Sequence, residues 1–422
     1  MRNFLTKAGL LGSVSVALGS MWWSQQKTES DTCSSDAAAA SPASLYELKL
    51  VQVLFRHGAR TPLKSMPDVL EARWDPTLLE APPHTHINYT VTDLKGGPRP
   101  TAPVEDSYRR NTLSGGSFPG QLTTVGMQQL YELGQRLRNR YIEETPFLSP
   151  TFTSAEVYVR STNIVRTIES AKCLIAGLFQ QKQKDIVSIL TTEAESEILY
   201  PNYHGCKLLK VLSGPRWAEL STLPGIASDL QSILSALGIA AHQHVDFILI
   251  RDDMVARETH GLPIPPVLNS WRNKVEDRAV DMMCRLYEPS KSEKLQLSVG
   301  SLLHLLLDNI EKKLQDSSAE ANRKLFLYSA HDTTLIPCLM ALEIYDMKWP
   351  PYAADITLEL HQHRQTGDAF VKVSYIGQDQ LIPGCSGVYC PLQEFKKLLS
   401  AYTLNPEVYV TRCNSTGGPT EP

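Results

Sequence analysis

The chain has 422 residues, 42% of them apolar, enough to bury a full core, and its length accommodates one large domain with an insertion or two moderate ones. Forty-one basic against 45 acidic side chains leave a formal charge of -4, which excludes a general basic field that would recruit nucleic acid; any positive potential has to be local. Eight cysteines are too few for a disulfide scaffold at this length, and no pair has zinc-finger spacing.

The first 28 residues carry Arg2, Lys7 and Lys27 but no acid, and Ala8 to Trp23 is an uncharged apolar stretch spaced by Gly and Ser. Its 16 residues are short for crossing a bilayer, so a targeting segment is expected. Low acidity suits a mitochondrial presequence, while a positive start, an apolar middle and small residues near Gly19 equally suit a secretory signal. Ser24 to Ser44, rich in Ser, Ala, Gln and Asp, reads as a disordered linker, so residues 1–43 are assigned to targeting and linker.

Residues 46 to 55 run or alternate apolar and predict a buried central strand. Directly behind it stands Arg56-His57-Gly58-Ala59-Arg60-Thr61-Pro62. Two guanidiniums flanking a histidine on a tight turn make an anion site with a nucleophile inside it, because Arg offers a fixed fork of donors matched to phosphate oxygens. The pattern Arg-His-Gly-x-Arg-x-Pro arises by chance in about one chain in ten thousand of this length. Ser65 to Pro119 is polar, Pro- and Gly-rich and aperiodic, an irregular excursion near the site. Its His84 and His86 lack carboxylate or Cys companions at ligand spacing and read as surface histidines.

From Leu122 the apolar positions Gly126, Leu130, Leu133, Leu137 and Tyr141 form one helix face, capped by Thr123 or Thr124. Val157 to Arg160 predicts a short strand and Ile164 to Phe179 a helix, the next parallel α/β unit. Residues 184–298 change to helical patterns broken by Pro201, Pro215 and Pro224, and are expected to form a smaller, mainly helical cap inserted into the core. The chain returns through the apolar face of Leu302, Leu305, Leu306 and Ile310, a strand over 324–329, and a last strand pair around Ile356 to Leu360 and Val371 to Tyr375. The expected fold class is α/β: a central, mostly parallel sheet flanked by helices, its core in two parts (44–183 and 299–422) around the cap. Three strands thus end in chemistry, at Arg56-His57, at Arg160-Ser161-Thr162 and at Ser329-Ala330-His331-Asp332-Thr333-Thr334, as expected where an open α/β sheet binds a ligand beyond its carboxyl edge.

With Gly120-Gln121-Leu122-Thr123, Leu133-Gly134, Arg138-Asn139-Arg140-Tyr141, Arg166-Thr167, Pro350-Pro351-Tyr352-Ala353 and Cys390-Pro391-Leu392, these motifs make the chain resemble the histidine acid phosphatases. That family is the branch of the phosphoglycerate-mutase-like superfamily holding prostatic and lysosomal acid phosphatases and phytases, and the likeness covers most of residues 46 to 400. It implies a phosphoglycerate-mutase-like core and a covalent phosphohistidine at His57. The whole chain and its amino terminus are most similar to mitochondrial members that act on lysophosphatidic acid. The expected partner is therefore a lysophospholipid monophosphate, with peripheral membrane contact, no nucleic acid and a monomeric state; the expected address is mitochondrial, with a secretory or lysosomal one as the alternative. The likeness also implies a local disulfide between Cys385 and Cys390, with one extra residue between them here, and a long-range pair Cys206–Cys413. A further disulfide of secreted relatives has neither partner, Ala354-Asp355 standing where one cysteine would be. The sequons at Asn88 and Asn414 matter only on the secretory route.

Hydrolysing a phosphomonoester requires neutralising a dianion, attacking in line and protonating a poor leaving alkoxide. Arg56, Arg60 and Arg160 meet the first need, with His331 as a fourth donor; His57 meets the second, provided one ring nitrogen is held as a donor. Asp332 meets the third as general acid and then helps activate water. A free Asp has a pKa of about 3.9, so activity should favour acid; the competing role for Asp332 is helix capping beside Thr333 and Thr334. No Walker loop, metal-ligand cluster or dinucleotide fingerprint is present, and neither metal nor cofactor is expected. The signature is followed by Leu63 and one Lys64, and the excursion carries Trp74, Leu78, Leu79 and Ile87. An apolar wall there would suit a lipid monophosphate, although each of these side chains reads equally well as core. The alternatives are a broad acid or inositol-phosphate phosphatase and, from another class, an inactive lipid-binding protein on the same fold.

Overall fold

Leu50 to Arg56 are buried because the strand they end, β1 (Tyr46–Arg56), lies between two helical layers. In a strand successive side chains face opposite sides. Leu50 and Leu54 accordingly enter one apolar layer and Val51, Val53 and Phe55 the other. The computed structural model describes residues 45–240, 242–315 and 322–415; the expected targeting segment and linker, 1–43, lie outside them.

The remaining strands are β2 (Tyr89–Thr92), β3 (Val157–Ser161), β4 (Val187–Leu190), β5 (Leu325–Ala330), β6 (Asp355–His363), β7 (Ala369–Tyr375), β8 (Gln378–Gln380) and β9 (Cys390–Pro391). The sheet order is β2-β4-β3-β5-β1-β6-β7-β8, with β9 also on β7. From β2 to β1 all neighbours are parallel; β6 turns the sheet antiparallel. Two of these strands differ from expectation. The irregular excursion 65–119 contains β2, and the span 184–298 opens with β4, so the helical part of that span starts only at Lys207. Four residues of mixed polarity are too short for a periodicity signal; each strand is set by pairing with the other along the sheet edge.

The helices, in chain order, are α1 (Pro103–Tyr108), α2 (Thr124–Arg138), α3 (Val165–Phe179), α4 (Lys207–Leu220), α5 (Ile226–Leu237), α6 (Phe247–Thr259), α7 (Pro266–Leu286), α8 (Lys291–Gln315), α9 (Asp332–Ala341), α10 (Leu392–Ser400) and α11 (Pro406–Asn414). Thr123 caps α2, its hydroxyl accepting from Gly126 N at 3.3 Å. α2 and α3 cover the face bearing Val51 and Val53; α8, α9 and α10 cover the face bearing Leu50 and Leu54. α5, α6 and α7 share a third cluster, into which Met66, Ile336 and Met340 reach from the sheet side. Backbone contact fixes the signature loop on α2: a Cβ on Gly126 would stand 2.1 Å from the Ala59 carbonyl oxygen, and one on Gly58 2.3 Å from the Gly126 oxygen.

Disulfides join Cys206 to Cys413 and Cys385 to Cys390. At Asp355, where the likeness would set a cysteine, a fully buried carboxylate pairs with Arg136 instead. Among the described residues no helix is long and apolar enough to cross a membrane, and no His, Cys, Asp and Glu side chains cluster for a metal.

Candidate active site

The parallel register sets Arg56 opposite Ala330, so the next residues, His57 and His331, leave the sheet edge side by side with ring centroids 5.5 Å apart. His57 Nδ1 donates to its neighbour's carbonyl, Gly58 O, at 2.8 Å, which leaves Nε2 as the bare nitrogen. Burial first, then the guanidiniums of Arg166, Arg56 and Arg60, hold its pKa well below the ordinary histidine value, so the ring is neutral. An imidazole that is neutral, with its second nitrogen tied, has its lone pair free for attack.

Arg56 donates through Nη1 to Pro350 O at 2.6 Å, pairs through Nη2 with Asp332 at 2.7 Å and lies over the Tyr352 ring, its Cζ 4.3 Å from the centroid. Arg60 is held by a carboxylate that sequence reasoning did not single out: Asp252 of α6 accepts from Nη2 at 2.8 Å and from Nη1 at 3.3 Å. The same carboxylate accepts from Leu63 N at 2.8 Å, so it clamps both the arginine and the loop behind it.

Arg160 and Arg166 exchange expectations. Arg160 is level with Tyr328 in the register, three residues short of His331, or about 10 Å along a strand. Its Nη2 pairs with Glu197 at 3.2 Å, and it is not on the cavity wall. Glu197 is 1% exposed and also accepts from Ile198 N and Leu199 N, so this is a buried structural pair. Arg166, singled out in the sequence only within a motif of the family likeness, is the second residue of α3 and lines the cavity. Its Nε and Nη1 are buried without a protein partner, as is one nitrogen, Nε, of each of Arg56, Arg60 and Arg160. Buried donors left unpaired are costly, and several converging guanidiniums suit an anion.

His331 Nε2 lies 3.0 Å from Thr162 Oγ1, and burial followed by Arg166 keeps its pKa well below normal. Asp332, the first residue of α9, accepts from Arg56, from Trp349 Nε1 at 2.9 Å and from Thr333 N at 2.8 Å. The N-cap of α9 is His331, so the Asp332 bond to Thr333 N is a contact within the first turn rather than the cap. Burial would raise its pKa, but Arg56, Arg60 and the Trp349 hydrogen bond outweigh burial and hold the carboxyl well below the usual range.

A cavity of about 720 Å³ runs from Arg60, Arg166, His331 and Asp332 to a wall of apolar and aromatic side chains, among them Tyr200, Trp217, Ile248, Leu249 and Met283. Neither Arg56 nor His57 is on its wall; the His57 ring lies 5.5 Å from that of His331, which is. Of the excursion side chains singled out in the sequence, Trp74, Leu78, Leu79 and Ile87, none is on the wall: Trp74 is fully buried in a small cluster with Ala72, Leu113 and Ala256, edge-on to His260. The wall comes from the 200–203 segment, from α4, α6 and α7, and from Val104 and Tyr108 of α1 within the excursion. Nothing in the local sequence distinguishes these residues from helix core. His84 is exposed and 2.8 Å from Gln128 Oε1, as a surface histidine should be.

The model of the histidine phosphatase superfamily (branch 2) matches residues 47–222 and 227–376. Human lysophosphatidic acid phosphatase type 6 is 47% identical over 374 residues, covering 88% of this chain and 87% of that protein. Human prostatic acid phosphatase is 28% identical over 407 residues, covering 88% and 89%. Among solved structures, the multiple inositol polyphosphate phosphatase of Bifidobacterium longum superposes with a TM-score of 0.56 at 12% identity, covering 88% of this chain and 96% of that one. A Hafnia alvei phytase in complex with tartrate gives 0.55 at 18% identity, covering 87% and 99%; both likenesses concern the fold. The match over most of the chain and the identity to the phosphatase relatives show the family: the chain belongs to the histidine phosphatase superfamily, branch 2, and is a phosphoric monoester hydrolase.

Proposed function

We propose that the protein hydrolyses lysophosphatidic acid to monoacylglycerol and phosphate. The observation that carries the reading is the cavity: phosphate donors stand at one end, and most of its length is walled by apolar and aromatic side chains such as Ile248, Leu249 and Met283, with Lys64 and Lys210 exposed on that wall and Arg251 held by Glu276. The 47% identity to a relative named for that activity supports it. Arg56, Arg60, Arg166 and His331 bind the phosphoryl oxygens. His57 Nε2 attacks phosphorus as the bond to the glyceryl oxygen breaks, and the Asp332 carboxyl gives that oxygen its proton. Water then attacks the phosphohistidine, Asp332 takes a proton back, the P–N bond breaks and phosphate leaves.

Asp332 is ionised in the free site, so the proton has to arrive with the substrate. A phosphate bound by Arg56 and Arg60 competes for the cations that depress Asp332, and a monoanionic ester supplies the proton. The test compares kcat/KM on lysophosphatidic acid, glycerol 3-phosphate, an inositol polyphosphate and an aryl phosphate. Each buried methylene is worth about 0.8 kcal/mol, so the lipid should exceed glycerol 3-phosphate by orders of magnitude. Equal efficiency on the two removes the lipid reading. With labelled substrate and acid quench, the wild type should trap an acid-labile phosphoprotein and His57→Ala should not.

A mitochondrial address belongs to the same proposal, supported by the acid-free first 28 residues. Residues 1–32 fused to a reporter should confer protease-resistant import. A glycan on Asn88 or Asn414, both exposed, would move the protein to the secretory route instead.

A further inference from the structure

The mouth of the cavity is bordered by α4, whose residues divide by face. Lys210, Ser213, Gly214 and Trp217, three and four apart, line the cavity, while Leu209 and Leu220 are buried beneath. Lys207 and Val211, four apart, lie on the adjoining exposed stripe. Val211 is 67% exposed and Trp217 44%; Tyr203, just before the helix, is 37% exposed and also lines the cavity. Large apolar groups in water at the entrance to an apolar cavity are a cost unless something covers them.

Charge indicates what covers them. The one carboxylate of α4, Glu219, is held by Arg216 at 3.6 Å, leaving Lys207 and Lys210 without an ion-pair partner among the described residues. Lys64 stands exposed on the same cavity wall. In a chain of net charge -4 these lysines form a local positive rim. The helix is also a fixed element, because its N-terminal flank, Cys206, is tied to Cys413 of α11. Tryptophan and tyrosine settle at the headgroup level of a bilayer, and lysines beside them are drawn to anionic lipid.

We infer that the exposed face of α4 docks on an anionic phospholipid surface and seats the cavity mouth against the bilayer from which a lipid monophosphate enters. The inference rests on the lysophosphatidic acid reading for its purpose, but the docking is tested separately. The full chain and its Lys207→Glu/Val211→Glu variant are sedimented with vesicles of phosphatidylcholine, alone or mixed with phosphatidylserine. Neither position lines the cavity, and the amino-terminal segment is common to both proteins. The variant should bind the anionic vesicles about tenfold more weakly and lose a similar factor in hydrolysis of lysophosphatidic acid held in them. Its aryl phosphate turnover should equal the wild type, which reports an intact fold. Equal binding of variant and wild type to anionic vesicles overturns the docking. A wild type that turns over no lysophosphatidic acid refutes the substrate reading instead, and the vesicle-binding comparison still decides the docking.

Discussion

At the sheet end of the cavity, most charged side chains are pinned by a partner from another part of the chain: Arg56 by Pro350 O and Asp332, Arg60 by Asp252, Asp332 by Trp349. At the helical end, Ile248, Leu249 and Met283 form a wall whose cohesion is dispersion and burial, shared among many neighbours. A charge-assisted bond lost at the first end leaves a buried group unpaired, whereas a methyl lost at the second leaves a space the wall can partly fill. Chemistry is therefore brittle at one end and substrate preference adjustable at the other. Changes at the two ends should differ in size and in the kinetic constant they touch.

The largest effect is expected where two arginines of the sheet end are contrasted. Arg166→Ala should lower kcat/KM about 10²- to 10³-fold for every phosphomonoester, because unpaired guanidinium donors are removed from the phosphoryl site. Its urea midpoint should stay near the wild type. Arg160→Ala should do the reverse, since stranding the buried Glu197 costs roughly 3–5 kcal/mol of stability while the folded fraction keeps most of its activity. Kinetic loss in Arg160→Ala without loss of stability would return Arg160 to the phosphate site.

Next in size is the pH profile. The depressed pKa keeps Asp332 ionised in the free enzyme throughout the working range, so the proton for the leaving group is carried by the substrate monoanion, whose second ionisation falls near 6. kcat/KM should then fall about tenfold per pH unit above that point. Esters with a more acidic phosphate should move the alkaline limb down by the same shift. A limb at one pH for all substrates would mean that an enzyme group, not the substrate, carries the proton.

Asp252→Asn probes the link between the two ends, because this α6 carboxylate holds both Arg60 and the Leu63 amide. A charge-assisted pair of this kind is worth about 1.5–3 kcal/mol. KM and the inhibition constant of inorganic phosphate should rise about tenfold or more, with kcat less affected. A loss confined to kcat would mean that Asp252 acts on the chemical step rather than on Arg60.

The same contrast explains what the sequence disclosed. Arg56, His57, Arg60, His331 and Asp332 stand on short motifs at strand ends, where the register alone brings them together. The apolar runs of β1, β3 and β5 announced the parallel sheet for the same reason: a strand covered on two sides needs continuous apolar residues. Arg160 misled because it stands near the end of β3, where the register sets it level with Tyr328 and leaves Arg166, in the first turn of the next helix, to face the histidines. Asp252 could not be read, since Arg251-Asp252-Asp253 resembles any polar helix turn and its partner is 192 residues away. Trp74 was a reasonable wall by proximity to the signature and is core by packing.

The smallest effect separates wall from core at the helical end. Met283 lines the cavity from α7, and Met283→Ala removes methylenes worth about 0.8 kcal/mol each wherever an acyl chain would touch them. The ratio of kcat/KM for lysophosphatidic acid over an aryl phosphate should therefore fall several-fold, through KM, while aryl phosphate turnover stays near the wild type. Trp74→Phe is the control, because Trp74 is fully buried away from that wall. It should lower the melting temperature and leave the substrate ratio alone. If Trp74→Phe shifts the ratio and Met283→Ala does not, the acyl chain runs along the excursion rather than between the helices, and the division between a charged end and an apolar end has to be redrawn.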